Sequence, residues 1–129
     1  KGIEQAVVGK RIGDIGNAVQ KHAESHGYSV VEELVGHGVG RFLHEEPSIP
    51  NFGRAGKGLK LKERMIIAIE PVINMGKRAI VQERDGWTIK TKDGKPSAHF
   101  EHTVVVKNGK ADILSDFSLI EEVLKKKKN

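Results

Sequence analysis

The chain has 129 residues, 37% hydrophobic and 30% charged, enough to bury a core and too apolar for a disordered segment. No run approaches the roughly 18 apolar residues of a membrane helix, and the absence of cysteine excludes disulfides and thiolate metal sites, leaving His, Asp and Glu as ligands. The net charge of +5 comes mostly from Lys125, Lys126, Lys127 and Lys128, so the remainder is near neutral and presents no broad nucleic-acid face.

The start, Lys1-Gly2-Ile3-Glu4, has no signal-peptide h-region, and a cytoplasmic protein is expected. Ile3, Ala6 and Val7 read as the end of an apolar-faced helix stopped by Gly9, as in a fragment whose N-terminal part is missing. Asp14 is placed to cap a second helix, with Ile15, Ala18, Val19, His22 and Ala23 on its buried face and Gly27 closing it. Residues 28–31 read as strand, continuing through Leu34 and Val35 into Gly36-His37-Gly38-Val39-Gly40. Three glycines there would cost a helix about 1 kcal/mol each, so this stretch is strand and turn where backbone passes close to something. Residues 45–58, with Pro47, Pro50, Asn51, Gly53, Gly56 and Gly58, read as a long irregular loop.

Residues 65–69 are apolar on both faces, as in a strand buried on both sides, and Pro71 holds Glu70 extended. Asp85-Gly86 and Asp93-Gly94 are turn dipeptides around a short strand at 87–91. Residues 100–106 alternate as another strand, and Asn108-Gly109 turns the chain toward 111–114. Ser118 and Glu121 have capping-box spacing before a helix with Leu119, Ile120, Val123 and Leu124 on its apolar side. The basic tail, 125–129, fits a solvated helix C-terminus. With no repeat or linker, one α+β domain is expected over 1–129, its helices packed on a mostly antiparallel, strongly bent sheet.

Three residues stand out chemically. Glu70 ends an apolar strand, where a carboxylate needs a cation, several donors or escape to solvent. Glu101 sits near the start of another strand, as a metal ligand or as a salt-bridged edge residue. Two carboxylates at the ends of buried strands are what a divalent metal requires of a sheet. His37, between two glycines, is sterically open and suits a ligand, although a hydrogen-bonded structural role is the simpler alternative. His44 follows seven residues later, but the glycines exclude a helical histidine pair. Trp87 reads either as a core aromatic or as a pocket wall. His22, His26, His99 and His102 read as surface or core residues.

The order Gly36-His37-Gly38-Val39-Gly40, His44-Glu45-Glu46-Pro47, Ile69-Glu70-Pro71, Asp85-Gly86-Trp87-Thr88 and Ser97-Ala98-His99-Phe100-Glu101-His102-Thr103 resembles the C-terminal half of a type I methionine aminopeptidase. The resemblance runs from about Ile3 to Leu114. Prolidases share the fold, but Val72-Ile73-Asn74 and Phe100-Glu101-His102 favour the methionine enzymes. The resemblance implies the pita-bread fold and a metal-dependent exopeptidase that removes the initiator methionine from nascent proteins by a metal-activated hydroxide. It implies two divalent ions (Co, Mn, Fe or Zn) on His37, Glu70 and Glu101, with Glu101 bridging. His44 would contact the scissile peptide, Glu70 would also transfer the proton, and Trp87 and Leu43 would line the methionine pocket. The substrate would be the N-terminal Met of peptides and nascent proteins, near the ribosome, with no membrane partner and a monomeric full-length enzyme.

In the family two metal-binding aspartates and a further histidine belong to the N-terminal half, so three of five ligands are expected here and the fragment alone should be inactive. Leu43 replaces a usual Phe, His99 replaces a common Gln, and residues 62–65 lack a usual Gly. The alternative from another class is a non-catalytic relative of the same fold that binds RNA or the ribosome through its lysine tail.

Overall fold

The computed structural model describes residues 1–126. A single 3-10 turn (Ile3–Gln5) leads into α1 (Ile12–Ser25). β2 (Gly36–Gly38), β3 (Glu45–Ile49), β4 (Ile66–Ile69), β9 (His102–Val105) and β10 (Asp112–Ile113) form a five-stranded sheet in the order β10-β9-β4-β2-β3. β1 (Ser29–Val30), β5 (Val72–Asn74) and β8 (Ser97–His99) form a second sheet in the order β1-β5-β8. β6 (Ile80–Gln82) and β7 (Ile89–Thr91) make a separate hairpin, and α2 (Ser118–Lys126) ends the described chain. The strand pairs within these sheets are antiparallel.

The core lies between α1 and the five-stranded sheet. Ile12 and Ile15 of α1 meet Ile49, Ile67, Ile69, Val104 and Val106, with Ala6, Leu61 and Ala111 closing the cluster. As the composition of 65–69 demands, β4 is central and buried on both faces at Ile67, Ala68 and Ile69. Among the described residues no helix is long and apolar enough to cross a membrane.

Several local expectations are corrected. The helix expected at the start is one 3-10 turn, because Val8 N–H bonds the Lys107 carbonyl and Gly9 adopts φ +94°. α1 begins two residues before Asp14, which sits at its third position and accepts the Arg11 N–H at 2.7 Å and the Gly56 N–H at 2.7 Å. Burial opposes ionisation of that carboxyl, yet the two amides hold it below its usual pKa. His22, expected on the buried face, is exposed, and Ala18 and Val19 are half-buried. Gly27 does follow the helix at φ +78°.

The segment 45–58 is not wholly loop: 45–49 is the edge strand β3, where Pro47 is tolerated because an edge leaves one side unpaired. The strand expected at 100–106 is broken at Phe100 and Glu101, between β8 and β9. For α2, Asp116 accepts the Ser118 N–H at 3.1 Å and its hydroxyl at 2.7 Å, replacing the expected capping box. Its apolar residues Leu119, Ile120, Val123 and Leu124 are all exposed. Of the basic tail, Lys127, Lys128 and Asn129 lie outside the described residues.

Candidate metal centre

The site follows from strand register. β4 pairs with β9 through Ile69 and His102, and β5 pairs with β8 through Val72 and His99. Both pairs belong to the same register, carried unbroken across the bend between the sheets. Glu70-Pro71 is the bend on one strand and Phe100-Glu101 on the other, so Glu70 stands opposite Glu101. The Phe100 N–H still reaches the Pro71 carbonyl at 3.5 Å. On the other side of β4, Gly38 pairs with Ile67. One step further along, His37 falls opposite Ala68, and Glu70 becomes its diagonal neighbour on the same face. Three strands thereby deliver His37, Glu70 and Glu101 to one spot, with one donor atom from each within 4.8 Å of the others.

The glycines around His37 have a different cause from the one expected. A Cβ on Gly36 would overlap the Ala68 carbonyl oxygen, and one on Gly38 would overlap that of Glu46. They let the backbones of β4 and β3 close on β2, whose pairing to β3 shifts register between them. The imidazole is consequently held rather than loose. His37 Nδ1 lies 2.8 Å from the Gly38 carbonyl oxygen, and a carbonyl only accepts, so Nδ1 bears the proton. In the neutral ring Nε2 is then a free lone pair, 3.3 Å from Glu70 Oε1.

Glu70 is largely buried, its side chain 19% exposed, and its second oxygen lies 3.4 Å from His99 Nε2. Asn51, fully buried, sends Nδ2 toward the carbonyls of Glu70 at 3.4 Å and Leu34 at 3.5 Å. It thus ties the end of β4 to the segment that leads into β2. Sequence reasoning gives Asn51 only as a turn residue and His99 only as a residue standing where the family commonly has Gln. An asparagine in a Pro- and Gly-rich stretch carries the same signal as any turn residue, and a histidine beside a candidate ligand looks like surface.

His44 packs its ring on His37, centroids 4.2 Å apart and tilted by 50°. Trp87 is not a core aromatic: it is 88% exposed at the tip of the β6–β7 hairpin. It lines a cavity of about 410 Å³ together with Leu34, Val72, Ile80 and Ile89, and His99 borders the same space. Leu43, 71% exposed beside His44, is not among the residues lining that cavity. His102 is structural, with Nδ1 2.9 Å from the Ser115 carbonyl oxygen and its ring against Phe117.

The donor set fits a divalent cation. One imidazole with an oriented lone pair and two facing carboxylates suit hard to borderline metals. None of the five aspartates is available to join them. Asp14 is taken by Arg11 and Gly56, Asp85 by Trp87 and Thr88, Asp93 by Lys77 and Lys95, Asp112 by Lys107, and Asp116 by Ser118. A non-catalytic RNA-binding relative gains no support from a donor cluster in place.

The sequence profile of metallopeptidase family M24 matches residues 1–108. A methionine aminopeptidase of Clostridium perfringens is 50% identical over 115 residues, covering 89% of this chain and 46% of that protein. The crystal structure of methionine aminopeptidase from Rickettsia prowazekii superimposes with a TM-score of 0.85 at 49% identity, over 88% of this chain and 46% of the other. An X-Pro aminopeptidase from Thermotoga maritima, at 21% identity and a TM-score of 0.61, shares the fold. The chain spans about half the length of the curated relatives it matches.

Proposed function

The chain belongs to metallopeptidase family M24 and has its pita-bread fold, and from that premise we propose that it carries the C-terminal part of the active site of a type I methionine aminopeptidase. The observation that supports this most directly is the approach of His37, Glu70 and Glu101 donors to within 4.8 Å.

In this reading His37, through Nε2, and the carboxylates of Glu70 and Glu101 would hold the divalent cations (two, of Co, Mn, Fe or Zn). Such ions supply Lewis acidity and bring the pKa of a water toward neutrality. Glu70 takes a proton on a carboxylate oxygen and returns it to the leaving amine nitrogen. His44, held against His37, turns a ring N–H toward the scissile carbonyl and supports the negative charge that develops there. Trp87 supplies an apolar wall for the methionine side chain, and Leu43 a second contact beside His44. The substrate is the N-terminal methionine of a peptide or nascent protein; the proposal further has the full-length protein act as a monomer in the cytoplasm, near the ribosome.

With three protein donors and all five aspartates engaged, the 129 residues alone hold metal weakly and turn over no peptide. The test is release of free methionine from a Met-initiated peptide by a protein spanning the whole length of the relatives. Release that stops on chelation and returns with Co²⁺ or Mn²⁺ supports the reading; no release with any of the four metals overturns it.

A further inference from the structure

We infer that His99 is a positioning residue for the metal centre: it clamps the second carboxylate oxygen of Glu70 so that the first stays turned to His37. The inference rests on the metal-holding role proposed for His37 and Glu70.

Four observations carry it. His37 Nε2 lies 3.3 Å from Glu70 Oε1, and His99 Nε2 lies 3.4 Å from Oε2. The two imidazoles therefore flank the two oxygens of one carboxylate. A carboxylate rotates freely about its last torsion, which has broad, roughly two-fold minima, and a partner held on Oε2 removes that freedom while Oε1 stays beside the His37 lone pair. Second, His99 is the last residue of β8, two before Glu101. It pairs with Val72, two residues after Glu70, so the register makes His99 a diagonal neighbour of Glu70 across the bend. Third, the unbroken register sets Glu70 opposite Glu101, and like charges directly opposed repel. With its proton on Nε2, His99 would offset that repulsion at Oε2, 3.4 Å away. Fourth, Glu70 is 19% exposed and His99 half-exposed, so the ring closes the solvent side of a mostly buried carboxylate while its other edge borders the Trp87 cavity.

Outer partners of this kind commonly change metal affinity by about 10- to 100-fold. The experiment is a Co²⁺ titration of the 129-residue chain, by calorimetry and visible absorption, for the unaltered protein and for His99→Leu, His99→Gln and His37→Ala. Folding of each is checked by circular dichroism, and the Gln variant controls for loss of fold at this half-exposed position. The expected result is a loss of about tenfold or more in His99→Leu, with affinity and absorption spectrum restored in His99→Gln, whose amide also donates.

Unchanged affinity in His99→Leu overturns the inference. Equal losses in the Leu and Gln variants, with a Zn²⁺-induced shift of the His99 Nε2 resonance in ¹⁵N spectra, overturn it in favour of direct ligation. Equal losses without that shift overturn it as well, since the amide then fails to rescue. Unaltered affinity in His37→Ala, or no binding by the unaltered chain, instead removes the metal-holding reading beneath it.

Discussion

Glu70 and Glu101 face each other across the bend at which one pair of antiparallel strands leaves the five-stranded sheet and enters the three-stranded one. Two carboxylates opposed in register repel unless a cation stands between them. The consequence is a substitution whose effect reverses with metal. Without metal, Glu101→Gln raises stability by a few tenths of a kcal/mol, within the roughly 0.2–1 kcal/mol range of a cross-strand pair. With Co²⁺ at one hundred times its dissociation constant, the unaltered chain gains about 2.7 kcal/mol and the variant much less. Urea unfolding with and without Co²⁺ measures both, and equal Co²⁺ stabilisation of the two proteins would contradict a ligand role for Glu101.

His44 meets His37 ring to ring at a 50° tilt, and its assigned work is on substrate. His44→Ala in a protein of the relatives' full length should therefore lower kcat by about 100- to 1,000-fold, the range for losing one donor to a developing oxyanion. Its Co²⁺ affinity should stay within about twofold. Steady-state kinetics beside calorimetry separates the two, and unchanged kcat would remove the catalytic role.

Trp87, the single tryptophan, reports on the hairpin tip. Asp85 Oδ2 accepts the Thr88 hydroxyl at 2.6 Å, and Oδ1 accepts the N–H groups of Trp87 at 2.9 Å and Thr88 at 2.8 Å. The Thr88 hydroxyl first, then the two amides, holds the Asp85 carboxyl below its usual pKa. A lowered folded value means that this stabilisation is complete above the ordinary Asp value of about 3.9. It is lost as pH falls through the lower folded value. Trp87 emission should accordingly change in acid below about pH 4. Asp85→Asn should lack that transition; the same transition in both proteins would assign it elsewhere.

Gly36→Ala tests the packing behind His37. The new methyl group would overlap the Ala68 carbonyl oxygen, and backbone cannot rotate away as a side chain can. A loss of about 1–3 kcal/mol or more is expected, with weaker Co²⁺ binding because β2 shifts against β4. A thermal melt at unchanged midpoint would show that β2 has room to move.

How far the sequence could be read depended on the range of the interaction. β4 was legible because an apolar run on both faces leaves few alternatives, and Glu70 was conspicuous at its end. The break at Phe100 and Glu101 was not legible. The bend keeps register, so the alternation from Phe100 to Val106 continues through it, and the one mark of a turn, Pro71, lies on the opposite strand. His37, Glu70 and Glu101 could each be singled out, but their meeting rests on pairings between distant segments, which no local pattern records. His37 was read for the space its glycines leave, whereas those glycines serve neighbouring backbones. Trp87 was read as core or wall, and composition could not show that it sits at a hairpin tip. His99 and Asn51 act through a side chain and a carbonyl far along the chain, and their own neighbours show nothing of this.

The three candidate donors come from positions 37, 70 and 101, so assembling them closes two loops of about thirty residues each. Pairings that distant form late and slowly in a folding chain. The centre is therefore among the last parts of the molecule to exist, and a cation captured there acts as a seal on completed folding rather than as a seed for it. Chelation should then leave the rate of refolding nearly unchanged and accelerate unfolding instead.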